Sequence, residues 1–265
     1  MVCVGVMKSG FAMFGRSTRK AVAAPRARLT MEADDRPIYA IGDVHGCLDA
    51  LRELEQKIIA DARGIDSRKL IVMLGDYVDR GPESAGVLDH LLAAPPAGFD
   101  RICLAGNHEQ LMLDVLEGRA KLERWRALGG EATLASYGID SERLSRLGSS
   151  GEDIRDMIAA AVPDAHREFL RELPVLLSTR LHVFVHAGLR PDLPAAEQSD
   201  QSLMSLRLKP EQAAQLPDRY IVHGHTPVSR IAMENRRVNV DTGACFTGRL
   251  SALRIWRGGG RVLST

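Results

Sequence analysis

Cysteine is scarce: four in 265 residues, at Cys3, Cys47, Cys103 and Cys245, with no C-x-x-C pair among them. Small secreted scaffolds and thiolate metal knots crowd their cysteines, so this scatter excludes a disulfide framework and favours reduced thiols in a cytoplasmic protein. Charge of one sign is lacking as well, with 35 Lys and Arg against 34 Asp and Glu. No strong overall field draws such a chain to nucleic acid or to an anionic membrane, so neither is expected as a partner and charge specificity must be local. Long apolar runs are missing too. None approaches the roughly 18–20 residues that span a bilayer.

What is present divides into two stretches. The first 36 residues carry Lys8, Arg16, Arg19, Lys20, Arg26 and Arg28 before the first acid, Glu32. A secretory signal needs a continuous apolar stretch after its positive charges, and here the order is reversed and interrupted. Residues 1–36 read as a flexible basic tail, a misassigned start near Met13 or Met31 being the competing reading. Residues 37–265 read as one catalytic domain, long enough and apolar enough for one large α/β core.

From Pro37 a strand, glycine turn, helix rhythm repeats. Ile38–Ile41 is a short β-like run ending in Gly42-Asp43, and Leu48, Leu51, Leu54 and Ile58 then follow helical spacing to about Ile59. Lys69–Leu74 ends in Gly75-Asp76, and Arg101–Ala105 ends in Gly106-Asn107 with a helix from near His108. Each unit has the roughly 30-residue length of a strand-helix-strand crossover and puts polar residues at the carboxyl end of its strand, where open α/β sheets bind ligands. From about 116 to 180 the pattern is a helical insertion broken by glycines. Strand patterns return at Leu181–Val185, Tyr220–Val222, Arg237–Val240 and Leu250–Trp256. Two packed sheets with helices outside is the expected architecture.

The strand ends carry the chemistry. G-D-V-H-G places Asp43 and His45 beside a glycine turn that removes side-chain bulk. Alone, such a pair is more often a turn aspartate and a solvated histidine. Recurrence changes the balance: G-D-Y-V-D-R-G supplies Asp76, Asp79 and Arg80, G-N-H-E supplies Asn107 and His108, and later strand ends deliver His186-Ala187-Gly188 and His223-Gly224-His225. Five strand ends carrying ligand-type residues beside glycine point to metal. Carboxylate, imidazole and amide oxygen without thiolate suit manganese, iron or zinc, and an aspartate with two free oxygens can bridge two ions. Two ions about 3.5–4 Å apart can share a hydroxide and clamp a phosphoryl group, which is phosphoester hydrolysis.

These motifs, with H-G-H-T-P, resemble the signatures of the calcineurin-like metallophosphoesterases, specifically the bacterial branch of the phosphoprotein phosphatase family, from about Ile38 to Trp256 in the expected order. The resemblance implies a four-layer αββα fold and two divalent ions per chain, Mn²⁺ first and Fe or Zn as alternatives. Asp43, His45 and Asp76 would hold one ion, and Asp76, Asn107, His186 and His225 the other, with Asp76 as the bridge. It further implies that His108 protonates the leaving oxygen, that Asp79 orients His108, and that Arg80 and Asn107 meet the substrate phosphate. A second phosphate-binding arginine is expected between the His-Ala-Gly and Gly-His segments. Arg207 is the candidate, with Arg190 and Arg219 as alternatives.

Other residues take plainer readings. His223 is read as outside the ligand set, and Pro227 stands where wider relatives carry an additional histidine ligand. Asp241 is read as a hydrogen-bonding support. His90, His166 and His182 lack glycine turns and read as structural or solvated; Cys47 and Cys245 lack a base partner for nucleophilic work. Ala105 replaces the arginine usual before Gly-Asn-His-Glu in eukaryotic relatives. Trp125–Gly138 resembles the cap of small bacterial members, so no regulatory subunit is implied. The expected substrate is a phosphoprotein or a small phosphoester. A Ser/Thr protein phosphatase is the first reading, because relatives acting on dinucleoside tetraphosphates typically carry Ala-Arg-Gly and Gly-Asn-His-Asp where this chain has Asp79 and Glu109. Hydrolysis of dinucleoside tetraphosphates or other small phosphoesters is the alternative, and a non-catalytic phosphate-binding module would be expected to have lost a ligand or the acid.

Overall fold

Alternation along the strands sets the layers, because successive side chains of a strand point to opposite faces. In a computed structural model describing residues 24–31, 35–140, 151–194, 197–207 and 219–265, the elements in chain order are β1 (Arg28–Thr30), β2 (Ile38–Ile41), α1 (Leu48–Asp61), β3 (Lys69–Met73), α2 (Ser84–Leu92), β4 (Phe99–Cys103) and α3 (Asn107–Leu116). Then follow α4 (Leu122–Trp125), α5 (Glu131–Ser136), α6 (Gly151–Ala161), α7 (Asp164–Glu172), β5 (Leu176–Ser178), β6 (His182–Val185) and α8 (Asp200–Ser205). The chain ends with β7 (Tyr220–His223), β8 (Ala232–Glu234), β9 (Arg237–Asn239), α9 (Ala244–Thr247), β10 (Ser251–Trp256) and β11 (Gly259–Ser264).

Two mixed sheets form, ordered β11-β10-β2-β3-β4 and β1-β5-β6-β7-β9-β8. Ile38, Ala40, Leu70 and Val72 of the first meet Leu177, Phe184, Val222 and Val238 of the second in one buried layer. Their alternate neighbours Tyr39, Ile41, Ile71 and Met73 face outward into a second cluster with Leu51, Leu54 and Ile58 of α1 and Val87 and Leu88 of α2. On the far side, Val183, Val185 and Ile221 share that cluster with Leu203 and Met204 of α8. Burial on both faces explains why the strands read as near-continuous apolar runs. Each such side chain contributes about 1.5–3 kcal/mol.

Register brings the motifs to one edge. β2 and β3 pair in parallel with Ile41 opposite Met73, and β3 and β4 with Met73 opposite Cys103. The turns after them, at Asp43, Asp76 and Asn107, therefore leave side by side. In the second sheet Phe184 pairs with Val222, and Gly224 N donates to His186 O at 2.8 Å, so His186 and His225 leave together.

Some expectations shift. The third strand runs Phe99–Cys103 rather than 101–105 because buried Phe99 anchors its start. The basic tail, set at 1–36, is corrected over its last part: Arg28–Thr30 pairs in parallel with β5, and the Arg26 guanidinium is buried, donating to Leu170 O (2.8 Å), Leu173 O (3.0 Å) and Gln110 Oε1 (2.9 Å). Residues 1–23, with Met13 and Cys3, lie outside the described residues. The helical insertion ends at Glu172, and Leu176–Ser178, placed within it by the sequence reading, is a strand whose three residues are too few to show alternation.

Candidate metal centre

Asp76 stands at the centre of the edge. Its Oδ1 accepts from His108 N at 3.2 Å, which leaves Oδ2 facing the open side. Oδ2 lies 3.2 Å from His186 Nε2, 3.6 Å from His45 Nε2 and 3.9 Å from His108 Nε2. His186 Nε2 is also 3.2 Å from Asn107 Oδ1 and 3.2 Å from His225 Nδ1. Around an ion with bonds of about 2.0–2.2 Å, ligand atoms are spaced by roughly 3–3.5 Å. The donor set fits one ion among Asp76, Asn107, His186 and His225.

Imidazole orientation agrees with that fit. His45 Nδ1 donates to Val78 O at 2.8 Å and His186 Nδ1 to Leu74 O at 2.9 Å. Each ring thereby turns Nε2 and its lone pair inward, the orientation that outer hydrogen bonds give a ligating histidine. Burial holds His45 down to about 4 against the pull of Asp76, and burial with His186 holds His225 at about 3, so both stay neutral. Burial would raise Asp76, but His186, His108 and His45 hold it well below the carboxylate range. Burial and neighbouring Asp241 push Asp43 well above that range. A cation beside Asp43 would reverse that rise, because a positive charge favours the ionised carboxylate.

Spacing alone groups His45, Asp76 and His108 as one possible ligand set and Asp76, His186 and His225 as the other. Asp43 stands beside the first group: its carboxylate accepts from His225 N at 3.0 Å and lies 4.0 Å from His186 Nδ1. His108 differs from His45 in the partner of its Nδ1, a carboxylate in place of the Val78 carbonyl. Nδ1 lies 2.6 Å from Asp79 Oδ2, and Nε2 is 3.1 Å from an Arg80 terminal nitrogen. Arg80 reaches His45 Nε2 as well, at 2.8 Å. Burial would lower His108, yet Asp76 and the Asp79 hydrogen bond raise it, which favours a proton on the ring.

Two glycines are required by close approach. A Cβ on Gly106 would sit 2.1 Å from Asp76 Oδ1, and one on Gly224 2.1 Å from Asp43 Oδ1. The turns are strained in return: His45, Asp76, Asp79, Arg80 and His225 have φ of 45°, 54°, 74°, 71° and 70°. Left-handed backbone at non-glycine residues costs of order 1–2 kcal/mol each, and surrounding bonds must hold it.

Those bonds come from residues the sequence left unassigned. The buried Glu109 carboxylate accepts from Asp76 N (2.8 Å), Tyr77 N (2.7 Å), Val78 N (3.2 Å) and Gly106 N (2.9 Å), clamping two turns together. Asp79 Oδ1 accepts from Trp125 Nε1 at 2.8 Å and from Thr133 Oγ1 at 2.7 Å. Arg80 N donates to Gly129 O at 3.0 Å. The helical insertion thus fixes the Asp79–His108 pair; only its position after G-N-H-E could have hinted at this.

The remaining candidates separate. Arg207 is close enough to His225 to lower its pKa, whereas Arg190 pairs with exposed Asp192 and Arg219 donates to Ser178 Oγ. His223 turns away, with Nδ1 bonded to Gly224 O and Nε2 to Arg237. Asp241 Oδ1 accepts from Gly243 N at 2.8 Å. His90 pairs with Glu55, and His166 with Tyr137 and Asp89. Burial pushes the Cys47 thiol up to about 11 and raises Cys245, leaving neither as a ready thiolate. Among the described residues no helix is long and apolar enough to cross a membrane.

Comparison with known proteins places these observations. A family model of calcineurin-like phosphoesterases matches residues 36–244. The chain is 29% identical, over 81% of its length and 88% of the relative's, to a protein of Halalkalibacterium halodurans named bis(5'-nucleosyl)-tetraphosphatase PrpE [asymmetrical]. It is 28% identical to serine/threonine-protein phosphatase 1 of Salmonella typhimurium, over 83% of this chain and 92% of that one. A solved structure described as a putative diadenosine tetraphosphatase superposes with a TM-score of 0.62 at 18% identity, covering 89% of this chain and 96% of that one.

Proposed function

Because this chain belongs to the calcineurin-like phosphoesterases, metal-dependent hydrolases of phosphoester bonds, we propose that it cleaves alkyl phosphoesters of the phosphoserine and phosphothreonine kind. The observation that carries this is the His108–Asp79 pair, with Nδ1 to Oδ2 at 2.6 Å and Nε2 facing the ligand cluster. A serine or threonine alkoxide is a poor leaving group and needs a proton as the P–O bond breaks. His108, its pKa raised, supplies one from Nε2 of the doubly protonated ring, while Asp79 accepts from Nδ1–H and stabilises that cation. A buried, doubly hydrogen-bonded Asp79 would be an unneeded construction if every leaving group were already a stable anion.

Asp43, His45 and Asp76 are assigned to one ion and Asp76, Asn107, His186 and His225 to the other, with Mn²⁺ as the first candidate and residues 37–265 as the catalytic unit. Two bound ions would supply a nucleophile from water at neutral pH and neutralise charge on the phosphoryl oxygens. Arg80 and Arg207 are assigned to hold the remaining oxygens, Arg80 from beside His45 and His108 and Arg207 from near His225. Asn107 does double duty as a ligand at the phosphate's edge.

A second reading, asymmetrical hydrolysis of dinucleoside tetraphosphates, is favoured by the name of the Halalkalibacterium halodurans relative. A panel with purified, manganese-loaded protein separates the two: phosphoserine, phosphothreonine and phosphotyrosine peptides against diadenosine tetraphosphate. Higher kcat/KM on the phosphoserine and phosphothreonine peptides is expected. A strong preference for the dinucleotide overturns the first reading.

A further inference from the structure

Beside the second-sheet ligands the fold leaves a cavity of about 230 Å³, lined among others by Arg207, His223, Arg230, Glu234, Arg237 and Asn239. Its position follows from register. Ile221 pairs with Arg237 and His223 with Asn239, while Glu234 pairs with Arg237 across β8 and β9. One face of β7, β9 and β8 therefore points away from the inter-sheet core and into the cavity. Ala187 and Thr226, which follow His186 and His225, complete the wall towards the ligand cluster.

The polar contents of this wall are unbalanced. Three guanidinium groups meet one carboxylate, Glu234, and among the described residues none of the three arginines has a carboxylate within ion-pair distance. Arg237 is held by an uncharged acceptor, His223 Nε2, at 3.0 Å. Its Nε is buried with no hydrogen-bond partner. A buried donor left unpaired is unfavourable, and a guanidinium presents planar, forked N–H groups suited to oxyanions. The volume is several times the roughly 30 Å³ that one water occupies in the liquid, so a hydrated phosphate or carboxylate fits.

We propose that this cavity binds a second anionic group of the substrate, attached to the scissile phosphoryl group and lying beyond His225 on the side of the second sheet, with Arg230 and Arg237 as its specificity-determining residues. The inference rests on the hydrolase reading of the adjoining metal centre. Two sources offer that chemistry, a non-scissile phosphate of a polyphosphate chain or an acidic side chain near a phosphoserine.

Metal-loaded wild type, Arg230→Ala and Arg237→Gln would be compared on p-nitrophenyl phosphate, on diadenosine tetraphosphate, and on phosphoserine peptides with and without flanking glutamates, at fixed free metal. Loss of a charge-assisted hydrogen bond is expected to lower kcat/KM roughly tenfold, through KM, on the substrate whose second charge the cavity holds. A loss confined to the dinucleotide assigns a phosphate, and one confined to the acidic peptide assigns a carboxylate. Activity on p-nitrophenyl phosphate should stay within about twofold, which also reports that both variants fold. Equal losses on all substrates, or no loss on any, overturn the proposal. If wild type hydrolyses none of these substrates, the hydrolase reading fails by itself. The cavity is then judged by thermal stabilisation with tripolyphosphate in excess divalent metal, expected for wild type and reduced in Arg230→Ala; equal stabilisation of the two would overturn the cavity assignment.

Discussion

His186 and His108 flank the same oxygen, Asp76 Oδ2, at 3.2 and 3.9 Å, yet the chain prepares them differently. His186 hands its Nδ1 proton to a backbone carbonyl, Leu74 O, and lies among three further ligand-type atoms. His108 gives its Nδ1 to a carboxylate, Asp79, and meets a guanidinium at Nε2. A carbonyl fixes the tautomer; burial would lower His186, but Asp76 and Asp43 raise it to about 10, so a bound cation rather than the carbonyl would keep this ring neutral as a ligand. A carboxylate also stabilises the protonated ring, which suits an acid. Proximity to a carboxylate oxygen does not decide between ligand and acid; the partner of the far nitrogen does.

The sharpest way to break this comparison is to remove its shared centre. Asp76→Asn takes away the charge that both proposed ions share. Loss of the ion held with Asn107, His186 and His225, and a fall in hydrolysis by roughly three orders of magnitude or more, is expected from several kcal/mol of lost charge stabilisation. Metal analysis finding two tightly bound ions per chain in this variant would end the bridging assignment.

His108→Asn tests the other side of the pair. Both ions should remain, while alkyl phosphate hydrolysis slows by about 10²–10⁴-fold, the usual worth of a positioned general acid. Aryl esters such as p-nitrophenyl phosphate should lose less, because their leaving group is already a stable anion near neutral pH. An equal loss on both substrates, or loss of metal, would move His108 out of the acid role.

How far the sequence reached follows from the range of each interaction. Asp43, Asp76, Asn107 and His225 stood out as candidates because each directly follows a glycine at a strand end, and His186 because Gly188 follows it; at Gly106 and Gly224 a Cβ would run into a neighbouring carboxylate. Two packed sheets with helices outside were legible from the order of strand and helix patterns, whereas the four-layer αββα arrangement came from the family resemblance. Trp125 and Thr133 were not, since they reach Asp79 across 46 and 54 residues and a helical insertion gives no sign of which face holds a donor. Arg26 was misread for the same reason: a basic residue among basic residues looks solvated, and its carbonyl partners at Leu170 and Leu173 lie 144 and 147 residues away. Three-residue strands such as β1, β5 and β8 carry no readable alternation. Positive φ at Arg80 has no sign in the sequence, and at His45, Asp76, Asp79 and His225 the residue type only permits it.

Glu109 sharpens the comparison from beneath, because it holds the turn on which both Asp76 and Asp79 depend. Glu109→Gln keeps the volume but presents an amide N–H₂ where a carboxylate oxygen accepted backbone donors. A stability loss of about 2–3 kcal/mol is expected from buried donors left unpaired, visible as a Tm lowered by roughly 5–10 °C for a chain of this size. An unchanged Tm would mean that the strained turns are held by packing rather than by this clamp.

The smallest effect tests whether the helical insertion tunes the acid or merely covers it. Thr133→Val is nearly isosteric, but it removes one of the two donors to Asp79 Oδ1 and leaves Trp125 Nε1 in place. Asp79 N keeps Ser84 Oγ as an acceptor at 3.0 Å, so the backbone group is not orphaned. With one donor gone, the carboxylate turns more freely and holds the His108 ring less well. Only part of the acid's contribution should be lost, about 3–10-fold on alkyl phosphates against the 10²–10⁴-fold that the whole group supplies. Activity on p-nitrophenyl phosphate should hardly change, and metal content should not change at all. A fall of the same size on both substrates would show that Thr133 supports the fold of the site in general. A loss on the alkyl ester alone would place the insertion in the proton-transfer machinery, two hydrogen bonds behind the leaving oxygen.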